Sequence, residues 1–256
     1  MNLNEYVERT QLLVGDDGIE RLKKAHVLVA GVGGVGGACV EALGRAGIGK
    51  MTLIDFDRVA PSNCNRQVVA LRSTVGRSKI DVMAERLKDL NPEIDLALKA
   101  ERISPSEAHH YVTAEVDVVL DCIDAISSKI ALIQAAQERE IFVASSMGAG
   151  GRVNPAWVKV ADLYETSGCP MATAVRKQAR RAGIKAGVRV VYSNEPPLPH
   201  VPREFVAGGG PQKTVNGTIS YMPGLFGFFM ASEALRYLLR DHLLPEDRRG
   251  RIVPLA

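Results

Sequence analysis

The sequence predicts an α/β fold of the Rossmann-like kind, a largely parallel sheet with helices on both faces, and three observations carry that expectation. Short apolar runs at 27–30, 51–54, 116–120 and 141–146 alternate with stretches of helical periodicity. Near-continuous apolar runs are how strands covered on both faces read. The first run breaks into Gly31-Val32-Gly33-Gly34-Val35-Gly36 and resumes as a helical pattern through Cys39, Val40, Ala42, Leu43 and Ala46. The second run ends in Asp55. Strand, glycine turn, helix, strand and acid form the mononucleotide-binding arrangement. Glycines let backbone approach a phosphate, the helix N-terminus offers unpaired N–H groups, and the acid takes ribose hydroxyls.

The remaining elements come in order. Residues 5–22 read as a polar helical lead-in containing Arg9. Residues 57–75 are a loop rich in Asn, Ser and Pro, too polar for a core element. Residues 79–90 are amphipathic, with Ile80, Met83, Ala84, Leu87 and Leu90 on one face, and Asn91-Pro92 stops the helix. Residues 94–99 alternate as a strand, and 104–112 make a short helix. The run at 116–120 leads into Asp121-Cys122-Ile123-Asp124; Ser127 then caps a helix to 138, on which Lys129 reads as a surface lysine. Alternating strands and helices imply right-handed crossovers.

Beyond Met147-Gly148-Ala149-Gly150-Gly151 the character changes. An outlying strand is expected at 157–160, a helix at 171–182, a strand at 188–192, a long Pro- and Gly-rich loop at 193–217, and a last apolar helix at 225–239. The expected organisation is a nucleotide-binding core over 1–150. A smaller part, 151–256, packs on it and contacts substrate, or the two form one continuous domain.

Composition narrows the class. A chain of 256 residues, 46% hydrophobic and 24% charged, is an ordinary globular protein with ample core. A net charge of +3 is too mild to identify a partner, so local charge has to be read instead. No apolar run approaches a membrane span and the polar MNLNEYVERT start is no signal peptide, so no membrane association is expected. Cys39, Cys64, Cys122 and Cys169 form no CxxC pair, which argues against a structural zinc and fits a reducing cytoplasm. None of His26, His109, His110, His200 and His242 has metal-ligand partners at useful spacing.

Gly31, Gly33 and Gly36 with Asp55 suggest first an NAD-dependent oxidoreductase. The residues after Asp55 fit a dinucleotide poorly. Asp57 stands two residues on, then come Ser62-Asn63-Cys64-Asn65-Arg66-Gln67 and Lys79 at the head of the next helix. Arg66 as a fork and Lys79 as a point charge suit a triphosphate. Asp124, at a strand's C-terminal end, suits Mg²⁺ bridging phosphate oxygens. This charge set favours ATP attacked at its α-phosphate.

Glu8-Arg9-Thr10-Gln11, the GVGGVG loop, Asp55-x-Asp57-x-Val59-x-x-Ser62-Asn63-x-Asn65-Arg66-Gln67, Lys79 and Asp121-Cys122-Ile123-Asp124 together resemble the ubiquitin-activating-enzyme-like (ThiF/MoeB/HesA) adenylating enzymes. The resemblance implies an E1-type adenylation fold and a nucleotide site built from Gly31, Gly33, Gly34, Gly36, Asp55, Asp57, Asn63, Arg66, Gln67 and Lys79. In it Asp55 binds ribose, Asn63, Arg66 and Lys79 hold phosphates, Asp124 organises Mg²⁺, and Asp57 supports metal or phosphates. Arg9 reaches the γ-phosphate of the neighbouring subunit's ATP in a homodimer. Arg66, Lys79, Asp124 and Arg9 are the implied catalytic set.

Ser145-Ser146-Met147-Gly148-Ala149-Gly150, Ala161-Asp162-Leu163-Tyr164-Glu165-Thr166-Ser167, Val190-Val191-Tyr192-Ser193-Asn194-Glu195-Pro196-Pro197 and Gly217-Thr218-Ile219-Ser220-Tyr221-Met222-Pro223 resemble the tRNA threonylcarbamoyladenosine dehydratase branch. That branch implies tRNA bearing N6-threonylcarbamoyladenosine as substrate, adenylation of its carboxylate, and ring closure with release of AMP, with a sulfur-transfer protein as a possible further partner. The alternatives are adenylation of a ubiquitin-like sulfur carrier's C-terminus, whose enzymes usually carry two CxxC zinc pairs, and nicotinamide-dependent redox chemistry.

RNA needs a cationic surface. Residues 166–194 hold no Asp or Glu but carry Arg176, Lys177, Arg180, Arg181, Lys185 and Arg189. Arg176/Arg180 and Lys177/Arg181 are four apart and line one helix flank, making them candidate tRNA contacts against the plainer reading of a solvated face. Cys169 lies where thioester-forming relatives place a cysteine region, before Pro170 near a helix N-terminus. An intramolecular cyclisation needs no thioester, so a covalent role for Cys169 is the minor reading.

Overall fold

The computed structural model describes residues 5–198 and 217–240. Most of the expected 193–217 loop, with His200, therefore lies outside the described residues, as does His242. After a turn at Glu5–Val7 the chain runs α1 (Glu8–Lys24), β1 (His26–Ala30), α2 (Gly34–Ala46), β2 (Lys50–Ile54), α3 (Lys79–Leu90), β3 (Asp95–Lys99) and α4 (Ala108–Tyr111). It continues β4 (Val118–Asp121), α5 (Ile126–Glu138), β5 (Phe142–Ser146), β6 (Val158–Asp162), α6 (Pro170–Arg181), β7 (Arg189–Ser193) and α7 (Tyr221–Leu238). The expected 104–112 helix is a single turn, α4. The helix expected from 225 begins at Tyr221, with Pro223 in its first turn where a missing N–H costs nothing. Ser127 is not the cap of α5: Ala125 holds that position and Ser127 lies in the first turn.

The seven strands form one sheet in the order β3-β2-β1-β4-β5-β7-β6. All described pairings are parallel except β6 with β7. The sheet thus continues across residue 150 through β7, and the outlying strand is its antiparallel edge. Alternation of side chains sorts the core into two layers. Val27 and Val29 of β1 join Met51, Leu53, Val118 and Leu120 against α2, α3 and α7. Leu28 and Ala30 join Val119, Val143 and Val190 against α5 and α6 on the other face.

From β1 the chain winds outward to β2 and β3, then returns to β4 on β1's other side. The gap between the C-terminal ends of β1 and β4 is the topological switch point, where open α/β sheets bind ligands. Past β5, Gly151 is held twice: its N–H donates to the Gly217 carbonyl and its own carbonyl accepts from the Leu198 N–H, each at 2.8 Å. The Glu195 carboxylate accepts the Val153 and Asn154 N–H groups at 3.1 and 3.0 Å. The Tyr221 hydroxyl closes the same clasp on the Val153 carbonyl at 2.6 Å.

Candidate active site

A cavity of about 520 Å³ opens over that switch point. Gly31 follows β1 directly at φ 90°, and its N–H donates to the Ile54 carbonyl at 2.7 Å. Gly36, expected to touch nucleotide, lies outside the cavity wall. A Cβ there would sit 1.7 Å from the Gly31 carbonyl oxygen, so this glycine lets α2 close onto the turn. Gly33 is the opposite case. It lines the cavity, and a Cβ on it would meet nothing nearer than Gln67 Nε2 at 3.9 Å. That open space over a backbone N-terminus is a cradle a side chain would fill. No side chain caps α2 and its first turn holds no acid, so its leading N–H groups suit an anion.

Asp55, directly after β2, turns its carboxylate back onto the turn. Oδ2 accepts the Val32 N–H at 2.6 Å and Oδ1 accepts the Asp57 N–H at 2.8 Å. Each oxygen keeps a lone pair for a hydroxyl donor. Lys79 opens α3 and is buried, yet it still lines the cavity with Asp57. Its Nζ donates to Asp57 Oδ2 at 2.7 Å, and its N–H donates to the Asp57 carbonyl at 3.1 Å. Asp57 therefore fixes Lys79.

The loop after Asp57 is built to hold Arg66. Asn63 Oδ1 accepts the Ala60 N–H at 3.0 Å, closing a turn and leaving its amide NH₂ as the remaining donor. Arg66 Nη1 donates to the Ser62 carbonyl at 2.9 Å and to Asn65 Oδ1 at 2.7 Å. Asn65 Nδ2 in turn donates to the Thr218 carbonyl at 2.9 Å, tying this loop to the approach to α7. Gln67 lines the cavity with Oε1 buried and without a hydrogen-bond donor.

Beyond β4, Asp124 is exposed on the cavity wall and makes no hydrogen bond or ion pair among the described residues. Asp121 and Lys129 correct the sequence expectation. Lys129 is no surface lysine: both side chains are fully buried, and Nζ donates to Asp121 Oδ2 at 2.7 Å and to the Ser146 carbonyl at 3.0 Å. The Ser145 hydroxyl donates to the same Asp121 oxygen at 2.6 Å. A buried charge is tolerated only when paired and hydrogen-bonded in this way. The network joins the end of β4 to the end of β5.

Two further wall residues escape the sequence reading. Glu101 and Arg102 come after β3, and the Arg102 guanidinium lies 4.2 Å over the Phe56 ring. Burial and then the Glu101 charge push the Tyr111 hydroxyl above its usual range. The rule that sites gather at the C-terminal ends of parallel strands would have flagged both.

Several expected residues lie elsewhere. Arg9 is exposed in the first turn of α1 and does not line the cavity. Cys169 is buried in the α5–α6 layer at the head of α6, away from the cavity wall. On α6, Arg176 is tied to the Thr166 carbonyl at 2.7 Å and to the Thr166 hydroxyl. Arg180 lies 5.4 Å over the Tyr164 ring, while Lys177 and Arg181 extend from the same helix. Arg189 is taken up by Glu233 of α7 at 2.8 Å. The described residues hold no cluster of three or more His, Cys, Asp or Glu placed for a metal, and no helix long and apolar enough to cross a membrane.

Set beside known proteins, the chain has close counterparts. The tRNA threonylcarbamoyladenosine dehydratase of Bacillus subtilis (strain 168) is 36% identical over 241 residues, spanning 91% of this chain and 94% of that one. The protein of the same name from Haemophilus influenzae is 35% identical over 233 residues, 88% and 89% of the two chains. Among solved structures, Escherichia coli tRNA N6-threonylcarbamoyladenosine dehydratase in complex with ATP matches with a TM-score of 0.83 at 32% identity, covering 93% of this chain and 95% of the other. The ThiF family model matches residues 7–253, and with relatives of this identity aligned over nearly their whole length, the chain belongs to the ThiF family.

Proposed function

We propose that this protein is an ATP-dependent tRNA threonylcarbamoyladenosine dehydratase. The observation that carries the reading is full-length similarity to enzymes of that name, in a chain whose switch-point cavity holds an open glycine cradle and the Asp57-fixed Lys79. ATP fits the residues present. The adenosine end is taken by Asp55 and by the acceptor atom of Gln67, and the phosphates by Gly33, the α2 N-terminus, Arg66 and Lys79. One carboxylate, Asp124, matches what Mg²⁺ needs when phosphate oxygens and water complete its shell. Bound there, Mg²⁺ would neutralise phosphate charge.

The chemistry asks the chain to bind, align and screen charge. The substrate carboxylate attacks the α-phosphorus of ATP, forming an acyl adenylate and releasing pyrophosphate. Lys79 and Arg66 stabilise charge building on the phosphate oxygens. The carbamoyl group of the same nucleoside then closes on the activated carbonyl, and AMP leaves with the displaced carboxylate oxygen. The nucleoside is left one water lighter. Because nucleophile and electrophile share one molecule, an effective molarity of about 10⁵ M or more replaces an enzyme nucleophile. The buried Cys169 has no part in this scheme.

The same reading extends to organisation and partners. Residues 1–150 supply the nucleotide site and 151–256 the substrate contacts. Lys177, Arg180 and Arg181 are the α6 cations that meet the RNA backbone, in a cytoplasmic homodimer where Arg9 serves the neighbouring subunit's triphosphate. A sulfur-transfer partner stays outside the catalytic scheme. Adenylation of a sulfur-carrier protein is the weaker reading, since the full-length relatives bear the tRNA-modifying name. Incubation with Mg·ATP and threonylcarbamoyl-modified tRNA, with nucleoside mass analysis afterwards, tests the proposal. AMP release with a nucleoside one water lighter is expected; an unchanged nucleoside refutes it.

A further inference from the structure

Only two residues among those described bury side-chain polar atoms that lack a hydrogen-bond partner: Gln67, through Oε1, and Arg152, through Nε and Nη1. Gln67 is in the cavity wall. Arg152 stands two residues after Gly150, which is also in the wall, and is itself only 3% exposed. A guanidinium stays protonated in any protein environment, and burying it without a counter-charge is costly. The neighbouring acid does not relieve it. Glu195 spends its carboxylate on the Val153 and Asn154 N–H groups, and Arg152 takes part in no ion pair among the described residues.

The position of this unpaired cation matters. The basic residues in the cavity wall, Arg66, Lys79 and Arg102, all come from the β2–β3 side. The wall residues after β4 and β5 include Asp124, Ser128, Ala149 and Gly150, and none of them is basic. Of the two buried cations behind that side, Lys129 is already neutralised by Asp121 at 2.7 Å. Arg152 alone keeps its charge and its donors. With Arg66, Lys79 and Arg102 facing the phosphates from one side, the β4–β5 side is where a second anion finds no cation in the wall itself. The substrate's reacting group is a carboxylate, whose two oxygens match the guanidinium fork.

We propose that Arg152 is the receptor for the substrate's carboxylate, holding it beside Gly150 until it meets the α-phosphate. This rests on the dehydratase reading and adds to it the residue that selects a free carboxylate. The backbone clasp at Gly151, Val153 and Asn154 serves as the support that keeps the guanidinium in place before substrate arrives.

The test compares the full-length wild type with Arg152→Met and Arg152→Lys. Kinetics use threonylcarbamoyl-modified tRNA. Binding is measured for ATP, for unmodified tRNA, and for the modified nucleoside and its methyl ester. Arg152→Met is expected to raise KM for modified tRNA about 10- to 100-fold, the worth of a charged hydrogen bond, with ATP and unmodified tRNA affinity unchanged. Arg152→Lys should recover part of the loss. The wild type should bind the free nucleoside and not its methyl ester, and the Met variant should lose that preference. Its unfolding midpoint without ligand should not fall, because an unpaired buried charge has been removed. An unchanged KM overturns the assignment. So does an equal loss on unmodified tRNA, which would make Arg152 a phosphodiester contact, and so does a fallen midpoint with ester discrimination intact. Product formed equally well by Arg152→Met defeats the Arg152 assignment alone; a wild type that forms no product defeats the dehydratase reading itself.

Discussion

The cavity has two unlike walls. On the β1–β3 side, charged groups stand in loops and are only half satisfied by protein. Asp55 keeps lone pairs beyond its two backbone donors, and Arg66 keeps donors beyond Ser62 and Asn65. On the β4–β5 side, the exposed Asp124 apart, the charge is underground. Asp121, Lys129 and Ser145 satisfy one another, and Arg152 waits unpaired. The difference separates two jobs. A group that must bind and release a ligand keeps hydrogen-bonding capacity in reserve, whereas a group that holds strand ends together has none left over.

If that division is right, substitutions on the two sides should fail in different ways. The largest effect is expected at the wall groups that keep capacity for a ligand, Lys79 on the β1–β3 side and Asp124 beyond β4: Lys79→Ala or Asp124→Ala should each cut AMP formation about 10²–10³-fold. Circular dichroism should stay that of the wild type, and near-normal turnover in either would erase the distinction. Next comes the buried side. Lys129→Met strands the fully buried Asp121 carboxylate and should cost about 3–5 kcal/mol in urea unfolding. Replacing both partners, as Asp121→Asn with Lys129→Met, should cost less than Lys129→Met alone; equal losses would show that the pair is not coupled. The glycines sharpen the comparison within one turn. Gly36→Ala, driven onto the Gly31 carbonyl, should destabilise by about 1–3 kcal/mol. Gly33→Ala should leave the midpoint alone and weaken ATP binding, as calorimetry would reveal. The smallest effect is expected on α6. Arg180→Gln with Arg181→Gln should lower tRNA affinity and reduce its logarithmic salt slope by about 1.5, and an unchanged slope would leave that helix as ordinary solvated surface.

The open wall is the legible one. A glycine turn, an acid at a strand end and a lysine at a helix head are local patterns with fixed spacing, so Gly33, Asp55 and Lys79 read as a site from the chain alone. The bounds of α3 are legible too, because Asn91-Pro92 ends its apolar stripe abruptly. The buried wall is opaque for a physical reason. Lys129 carries the same letter whether it faces water or Asp121, and Ser145 becomes its neighbour only once β5 pairs with β4. The close packing of Gly36 is equally hidden, because it is made with a backbone oxygen, which no side-chain pattern encodes. Ser127 misleads because capping preference is a statistical tendency that the turn after Asp124 overrides. Glu101 and Arg102 escape because the alternation of β3 marks a strand but not that its tip joins the rim.

Gly151 receives the chain at Leu198 and hands it back at Gly217, both through its own peptide groups. Two stretches far apart in the sequence are thus stapled to one backbone position just past β5, so any change that moves the Gly151 peptide groups shifts Leu198 and Gly217 together, and with them the approach to α7.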